Sequence, residues 1–381
     1  MRAILKKPLQ KFLVAFFIIA SFLFFQNEAF AAVAHDSVSE SHTGTTGSTS
    51  ASSFTWTHTP SGTPRGVLVY VYTISATKTV TSVTYGGVAM TEIAGGAASD
   101  TGGETGRVDT FFLGASIPTG AQPIVVSRTN NSTIMYASAS TQTASVNTEV
   151  YTSGIILLQE NGTYSVQSIT DGSIGVNSLR YAAGYSGGNN PLSAGTGSTV
   201  LNSIDFGSYT ATTARESTAG QGARNVGFTY GSNDDRAGVH LAVREIPAAA
   251  TISASPTTCT ILSGASTCTV PFTWNITNAV SPNLYNSTTA NTYSTSASGT
   301  GVSYPITNGL NTVQARNSTT VLASTSVTGS CDTGTTWNGS ICAVTAATTL
   351  ADGTNPSNVT IAPGAATTDL DAFTLQTNVG S

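Results

Sequence analysis

The chain has 381 residues, of which only 9 % are charged, with 14 basic and 19 acidic side chains and a net charge of −5. A mildly acidic chain without a basic patch argues against nucleic acid and against anionic membrane surfaces as partners. Ser, Thr, Gly, Ala and Asn carry the composition, which leaves neither the charged faces nor the strong helix formers that long amphipathic helices need.

The chain opens with a basic start, Arg2, Lys6, Lys7 and Lys11, then an apolar run from Phe12 to Phe25, then Ala29-Phe30-Ala31. That is the layout of a secretory signal peptide over residues 1–31. The apolar run is 14 residues, shorter than the roughly 20 of a spanning helix, so no membrane insertion is expected after cleavage. Removing the leader takes four basic residues and one acid, Glu28, leaving 10 basic and 18 acidic residues, net −8, with Lys78 the only lysine. About 350 residues then suggest two or three domains.

Residues 33–52 are polar and Ser/Thr-rich, either a flexible lead-in or a first edge strand and its loop. Residues 33–247 are expected to form one β domain. SFTWTHT predicts a strand with Phe54 and Trp56 on one face. In PRGVLVYVYTI, Val67, Val69 and Val71 take one face and Leu68, Tyr70, Tyr72 and Ile74 the other, the pattern of a central strand covered on both sides. TSVTYGGVAMTEI reads as a hairpin turning at Gly86-Gly87, with Tyr85 opposite Val88. RVDTFFLGAS, QPIVVSRT, TIMYASAS, SGIILLQE, NVGFTYGS and GVHLAVREI supply further strands. Many short strands with turn signals and no helices predict a sandwich or jelly roll. No exact internal repeat is visible in the residues.

Several chemistries are weighed in this region. Gly184-Tyr185-Ser186-Gly187-Gly188 matches G-x-S-x-G, and Asp205 and His240 follow in hydrolase order. The chemistry needs a helix behind the serine, and NNPLSAGTGS reads as loop, so the expectation is not an enzyme. His240 reads as a solvent-facing or edge histidine. Asn233-Asp234-Asp235 offers oxygen ligands for calcium, with Asp234 and Asp235 as the candidate metal ligands; an Asx-type turn is the competing reading. No other cofactor is implied. The aromatics are the main functional lead: Tyr70, Tyr72, Tyr181, Tyr185 and Tyr230, flat faces among Asn and Asp, are candidates for holding a sugar. Against that, a strand as apolar as that of Tyr70 and Tyr72 is usually buried.

Pro247 and the alanines after it mark a boundary, and residues 249–344 form a second β unit. TCTVPFTWNIT puts Cys268, Val270, Phe272, Trp274 and Ile276 on one face, with Pro271 predicting an edge at that point. All four cysteines lie here: Cys259, Cys268, Cys331 and Cys342. Eight residues separate the first pair and ten the second, which fits neither zinc spacing nor a redox C-x-x-C. An even count in an exported chain reads as disulfides; three connectivities are open, and the local pairs Cys259–Cys268 and Cys331–Cys342 are favoured. N-x-S/T sequons such as Asn286 and Asn317 are expected by chance in a Ser/Thr-rich chain. Residues 345–381 contain two strand-like runs, read as the start of a further β unit cut short.

TSVTYGGVAMTEI, RVDTFFLGA and GVHLAVREI resemble a β-sandwich module of bacterial exported and surface proteins, of jelly-roll or lectin-like type. ASPTTCTILSGASTCTVPFTW and CDTGTTWNGSICA resemble bacterial Ig-like domains of multidomain surface proteins. The resemblance implies an all-β chain, a jelly-roll-like β-sandwich followed by a smaller Ig-like β-sandwich, secreted or held at the cell surface by bacterial-type export. The implied role is adhesin-type attachment or recognition, with a glycan, another surface polymer or other extracellular proteins as partner. A structural spacer or envelope component is the alternative, and a secreted hydrolase a remote one.

Overall fold

The computed structural model describes residues 33–43, 52–103, 105–129, 134–159, 162–172, 178–188, 192–205, 209–345, 348–350 and 359–361. The signal peptide expected over 1–31 lies outside the described residues, as does most of 345–381, where Thr348–Leu350 pairs with Val359–Ile361. The described chain is all-β; its one helical turn is Thr152–Gly154. None of its helices is long and apolar enough to cross a membrane. It divides after Pro247 into two compact units.

The first unit begins with β1 (Ala34–His42), β2 (Ser53–His58), β3 (Gly66–Thr73), β4 (Val80–Tyr85), β5 (Val88–Ala89), β6 (Thr91–Asp100), β7 (Gly106–Leu113), β8 (Gln122–Arg128) and β9 (Met135–Thr143). These make one sheet in the order β1-β9-β3-β7-β6 and a cover sheet β2-β8-β4-β5. The Gly86-Gly87 turn forms as the dipeptide predicts, with φ of +56° and +80° and Tyr85 opposite Val88.

The unit continues with β10 (Thr148–Val150), β11 (Ile156–Leu158), β12 (Gly162–Tyr164), β13 (Gln167–Ile169), β14 (Ser178–Ser186), β15 (Ser193–Ala194), β16 (Ser198–Asp205), β17 (Thr210–Glu216), β18 (Arg224–Val226), β19 (Phe228–Asp234) and β20 (Arg236–Glu245). Their main sheet runs β10-β20-β14-β17-β16, with β11 also on β20, and the cover is β12-β19-β15 with β13-β18. This is the order of the first half repeated. In each half the first strand lies beside the last, the last beside the long middle strand (β3, β14), then β7 or β17, then β6 or β16. In each cover a late segment pairs with both earlier ones: β8 with β2 and β4, and β18 and β19 with β13, β12 and β15. The single sandwich expected over 33–247 is therefore two sandwiches of one topology.

The two main sheets pack face to face, giving four layers. Val67, Val69 and Val71 of β3 join Val83, Tyr85, Ile124 and Val126 of the first cover. Leu68, Tyr70 and Tyr72 meet Leu179, Tyr181, Tyr185, Val239 and Leu241 of the second main sheet. Ala182, Ala214 and Ala242 on that sheet's far side meet Tyr164, Val226 and Phe228 of its cover. Every residue of β3 is buried, the reason its sequence is apolar on both faces.

The second unit comprises β21 (Ala249–Ala254), β22 (Thr258–Ile261), β23 (Thr267–Thr277), β24 (Pro282–Asn286), β25 (Asn291–Ser294), β26 (Ser298–Thr307), β27 (Gly309–Asn317) and β28 (Thr320–Cys331). Sheets β21-β23-β26 and β22-β28-β27-β24-β25 close on Val270, Phe272, Trp274, Ile276, Leu284, Ile306, Val313 and Val327. β22 runs parallel to β28. β23 is central, and β21 has ended at Ala254 opposite Phe272, so Pro271 sits where the neighbour peels away. Asn286 and Asn317 are buried; the Asn286 amide donates to Tyr293 Oη at 2.7 Å and the Asn317 side-chain oxygen accepts Ser281 N–H at 3.0 Å, closing both sequons.

The cysteines pair Cys259–Cys268 and Cys331–Cys342, with Cα separations of 6.0 and 5.4 Å. The first bridge ties β22 to β23, hence one sheet to the other. The second closes the loop carrying Trp337, and that loop is also held by Asp332 N–H to Ile261 O at 3.0 Å and Cys342 N–H to Ala265 O at 3.0 Å. Each bridge should contribute about 2–4 kcal/mol. Calorimetry in excess thiol is expected to lower the melting temperature of this unit by about 10 °C or more. An unchanged melt with confirmed free thiols would mean the sheets hold without them.

Candidate functional site

The structure moves most of the tyrosine candidates into the core. Tyr70, Tyr72, Tyr181 and Tyr185 are at most 2 % exposed, between the two main sheets. Two of the hydroxyls bond across that layer: Tyr72 donates to Thr212 O at 3.0 Å, and Tyr185 to Thr105 O at 3.0 Å. Burial raises the Tyr70, Tyr72 and Tyr181 phenol pKa values. A sugar-holding face made of these four does not exist, because a second sandwich covers it. Tyr230 is half-buried on β19, opposite Tyr164.

The candidate metal ligands are also spent. Asp234 accepts the Ser186 hydroxyl and Gly188 N–H through Oδ2, and Asp235 N–H at 2.9 Å through Oδ1. The Asp235 carboxylate lies against Gly102 and Gly103 of the β6–β7 turn. Among the described residues no three His, Cys, Asp or Glu side chains group as metal ligands. Asn233 and Asp234 are the last residues of β19, and Asp235 links it to β20.

Ser186, Asp205 and His240 do not converge. Ser186 is the buried last residue of β14, with no helix following it among the described residues, and Asp205 is exposed at the end of an edge strand. Ser186 pairs with Arg236 and His240 with Ala182, four residues and about 13 Å apart along the strand. His240 is not solvent-facing. It is fully buried under the second cover, its ring edge-on to Phe228 at 6.3 Å, both ring nitrogens without a hydrogen-bond partner. Burial, then the Arg236 charge, lowers its pKa to about 3.

The densest polar chemistry lies where residues 33–52 left the choice between lead-in and edge strand. β1 is the edge strand beside β9, and its register slips between His35 and Ser37. Asp36 is the extra residue of a β-bulge, a device that re-aims the flanking side chains. His35 consequently turns to the layer between the main sheets, its Nδ1 3.3 Å from Tyr181 Oη. Ser37 and Ser39 turn to the layer beneath the first cover, where they meet His58 of β2.

His58 is fully buried. Its Nδ1 is 2.7 Å from Ser39 Oγ, and its Nε2 is 3.1 Å from Ser37 Oγ and 3.2 Å from Thr141 Oγ1. Ser37 Oγ lies 2.7 Å from Thr141 Oγ1, which donates to Asp36 Oδ2 at 3.0 Å. Asp36 also accepts Ser61 N–H at 3.0 Å and Gly62 N–H at 2.8 Å. At the other end, Trp56 Nε1–H donates to Ser39 Oγ at 2.8 Å. Burial, opposed by Asp36, lowers the His58 pKa to about 4, so the ring is neutral at pH 7. Trp56 is stacked on Phe54, ring centroids 5.6 Å apart and planes 13° apart, and both are half-buried.

These residues escape a reading by motif. HDSVSES and SFTWTH alternate in the right way, but among so many serines the alternation carries no signal, and the bulge at Asp36 exists only against β9. Comparison of the chain with family models, with curated proteins and with solved structures returns no match.

Proposed function

We propose that the chain is an exported, modular surface protein whose sandwiches serve as structural display modules. The observation that carries this reading is the burial of the large tyrosines, which leaves hydroxyl and amide side chains on the sheet faces. In the second unit Thr251, Asn275 and Ser298 lie in register across an outer face, and Arg316 and Asp332 are the only charged residues between 249 and 345. The order β1-β9-β3-β7 over β2-β8-β4-β5 supports jelly-roll modules of paired Greek keys. Two sheets over a core holding Trp274, with two disulfides, support an Ig-like second unit. Disulfides belong to oxidising compartments, in keeping with export.

A second reading, recognition of a glycan or other surface polymer, is favoured by the half-buried Phe54–Trp56 stack, since a flat aromatic face among hydroxyls suits a sugar ring. Antibody against a tagged full chain is expected to label intact cells, and a glycan array to stay silent with calcium and with chelator. Labelling only after permeabilisation would refute the surface role. Array binding that falls tenfold or more in Trp56→Ala would replace display with recognition.

A further inference from the structure

The two ends of the hydrogen-bonded chain around His58 set its direction. Trp56 Nε1 can only donate and an ionised Asp36 can only accept. Thr141 spends its proton on Asp36, so Ser37 donates to Thr141 and His58 Nε2–H donates to Ser37. Nδ1 is then the lone-pair nitrogen, and it faces Ser39 Oγ at 2.7 Å. Ser39 already accepts from Trp56, so its own proton points at His58. The result is a serine hydroxyl on a neutral imidazole whose other nitrogen is oriented, through two hydroxyls, by a carboxylate. An activated serine needs this order of parts: nucleophile, base, orienting group.

The base is more deeply buried than the nucleophile's residue. His58 is fully buried while Ser39 is half-buried on an edge strand, beside the half-buried rings of Trp56 and Phe54. The base is shielded from water, and the nucleophile sits next to apolar surface.

We propose that Ser39 is a reactive nucleophile that takes an acyl group from an activated ester with an aromatic or alkyl substituent, His58 acting as its base and Asp36 as a positioning residue through Thr141 and Ser37. In the step, Ser39 Oγ bonds to the carbonyl carbon and its proton passes to His58 Nδ1. The bond from carbon to the leaving oxygen breaks, and the leaving group departs as an alcohol with that proton. The product is an ester on Ser39. This stoichiometric event does not depend on display or recognition: array and cell labelling can fail while it stands, and the converse.

The test is a fluorophosphonate probe on the full folded chain. Ser39 Oγ bonds to phosphorus, fluoride leaves, and His58 takes the proton. Intact mass is expected to show one adduct at pH 7.5, mapped to Ser39. His58→Gln is expected to label at least about 100-fold more slowly, the range general-base catalysis supplies, and Asp36→Asn about tenfold more slowly. Near-UV circular dichroism checks that each variant is folded. The labelling rate should fall on acidification with the titration of His58; Asp36 and His35 on β1 and Tyr85 on β4 are the titratable groups around it. No adduct on the folded wild type, undiminished labelling of Ser39→Ala, or wild-type rates in a folded His58→Gln would each overturn the proposal.

Discussion

Arg180→Met is expected to destabilise the first unit by about 3–5 kcal/mol, the range for removing one partner of a buried ion pair. Arg180 has no exposed surface, and it faces Asp171 Oδ2 at 3.2 Å and Glu216 Oε1 at 3.0 Å. The rest of its fork is spent on the backbone: Nε donates to Ile169 O at 3.3 Å, Nη1 to Gly220 O at 2.5 Å, and Nη2 to Gly222 O. One side chain thus ties β14 to β13, to β17 and to the turn after β17. Methionine fills similar volume but satisfies none of these groups. Asp171 and Glu216, each about 1 % exposed, then remain charged with less compensation. Glu216 keeps Arg224 at 2.8 Å, which places the cost inside the stated range rather than above it. Urea titration should show a lower midpoint with an unchanged slope. A loss below about 1 kcal/mol would mean the pair contributes little beyond an apolar filler. Adding Asp171→Asn and Glu216→Gln to Arg180→Met should recover part of the loss, since it removes the stranded charges.

Acid should open the same unit. A histidine lies in each of the three cores between its four layers: His58 beneath the first cover, His35 between the main sheets, His240 beneath the second cover. Burial is the main cause that lowers their pKa values, to about 4, about 4 and about 3. The unfolded chain takes up these protons near pH 6.5 and the folded chain does not. Their stabilising contribution is complete above pH 6.5, falls as pH drops from there toward 4 and 3, and changes no further below that. Asp109 and Glu245 act in the opposite sense, because burial raises their pKa values and protonation then favours the fold. With His35 discounted for its partial exposure, the net loss between pH 7 and pH 5 is on the order of 4 kcal/mol. Melting curves at the two pH values measure it. His240→Leu should flatten the acid limb, since both its ring nitrogens lack partners and an apolar side chain loses nothing there. A wild-type melt independent of pH from 7 to 5 would contradict the account.

Much of the fold was legible because it depends on neighbours in sequence. The alternation of Val67 to Tyr72 reports a strand covered on both faces, and β3 is buried throughout. Gly86-Gly87 carries its own turn, since positive φ is a local property. Cys259 with Cys268 and Cys331 with Cys342 are close enough along the chain for the nearest partner to be the bonded one. The second sandwich was not legible. Its strand order repeats the first while its residues do not, because topology is kept by the placement of strands and turns, and many residues satisfy the same placement.

The candidate site divides along the same line. The sequence by itself determined the all-β class and the weakly charged, hydroxyl-rich composition, both consequences of residue content and short-range alternation, and it favoured the local disulfides among three connectivities. Only the tertiary structure decided what each polar or aromatic side chain meets. Tyr70 and Tyr181 look alike in either setting until one main sheet packs on the other and buries them together. Ser39 is one serine among many until the bulge at Asp36, set by pairing with a strand about a hundred residues on, turns it to His58. Burial and hydrogen bonding are properties of surfaces that meet across the fold, and alternation along one strand says which side a residue faces but not what waits there.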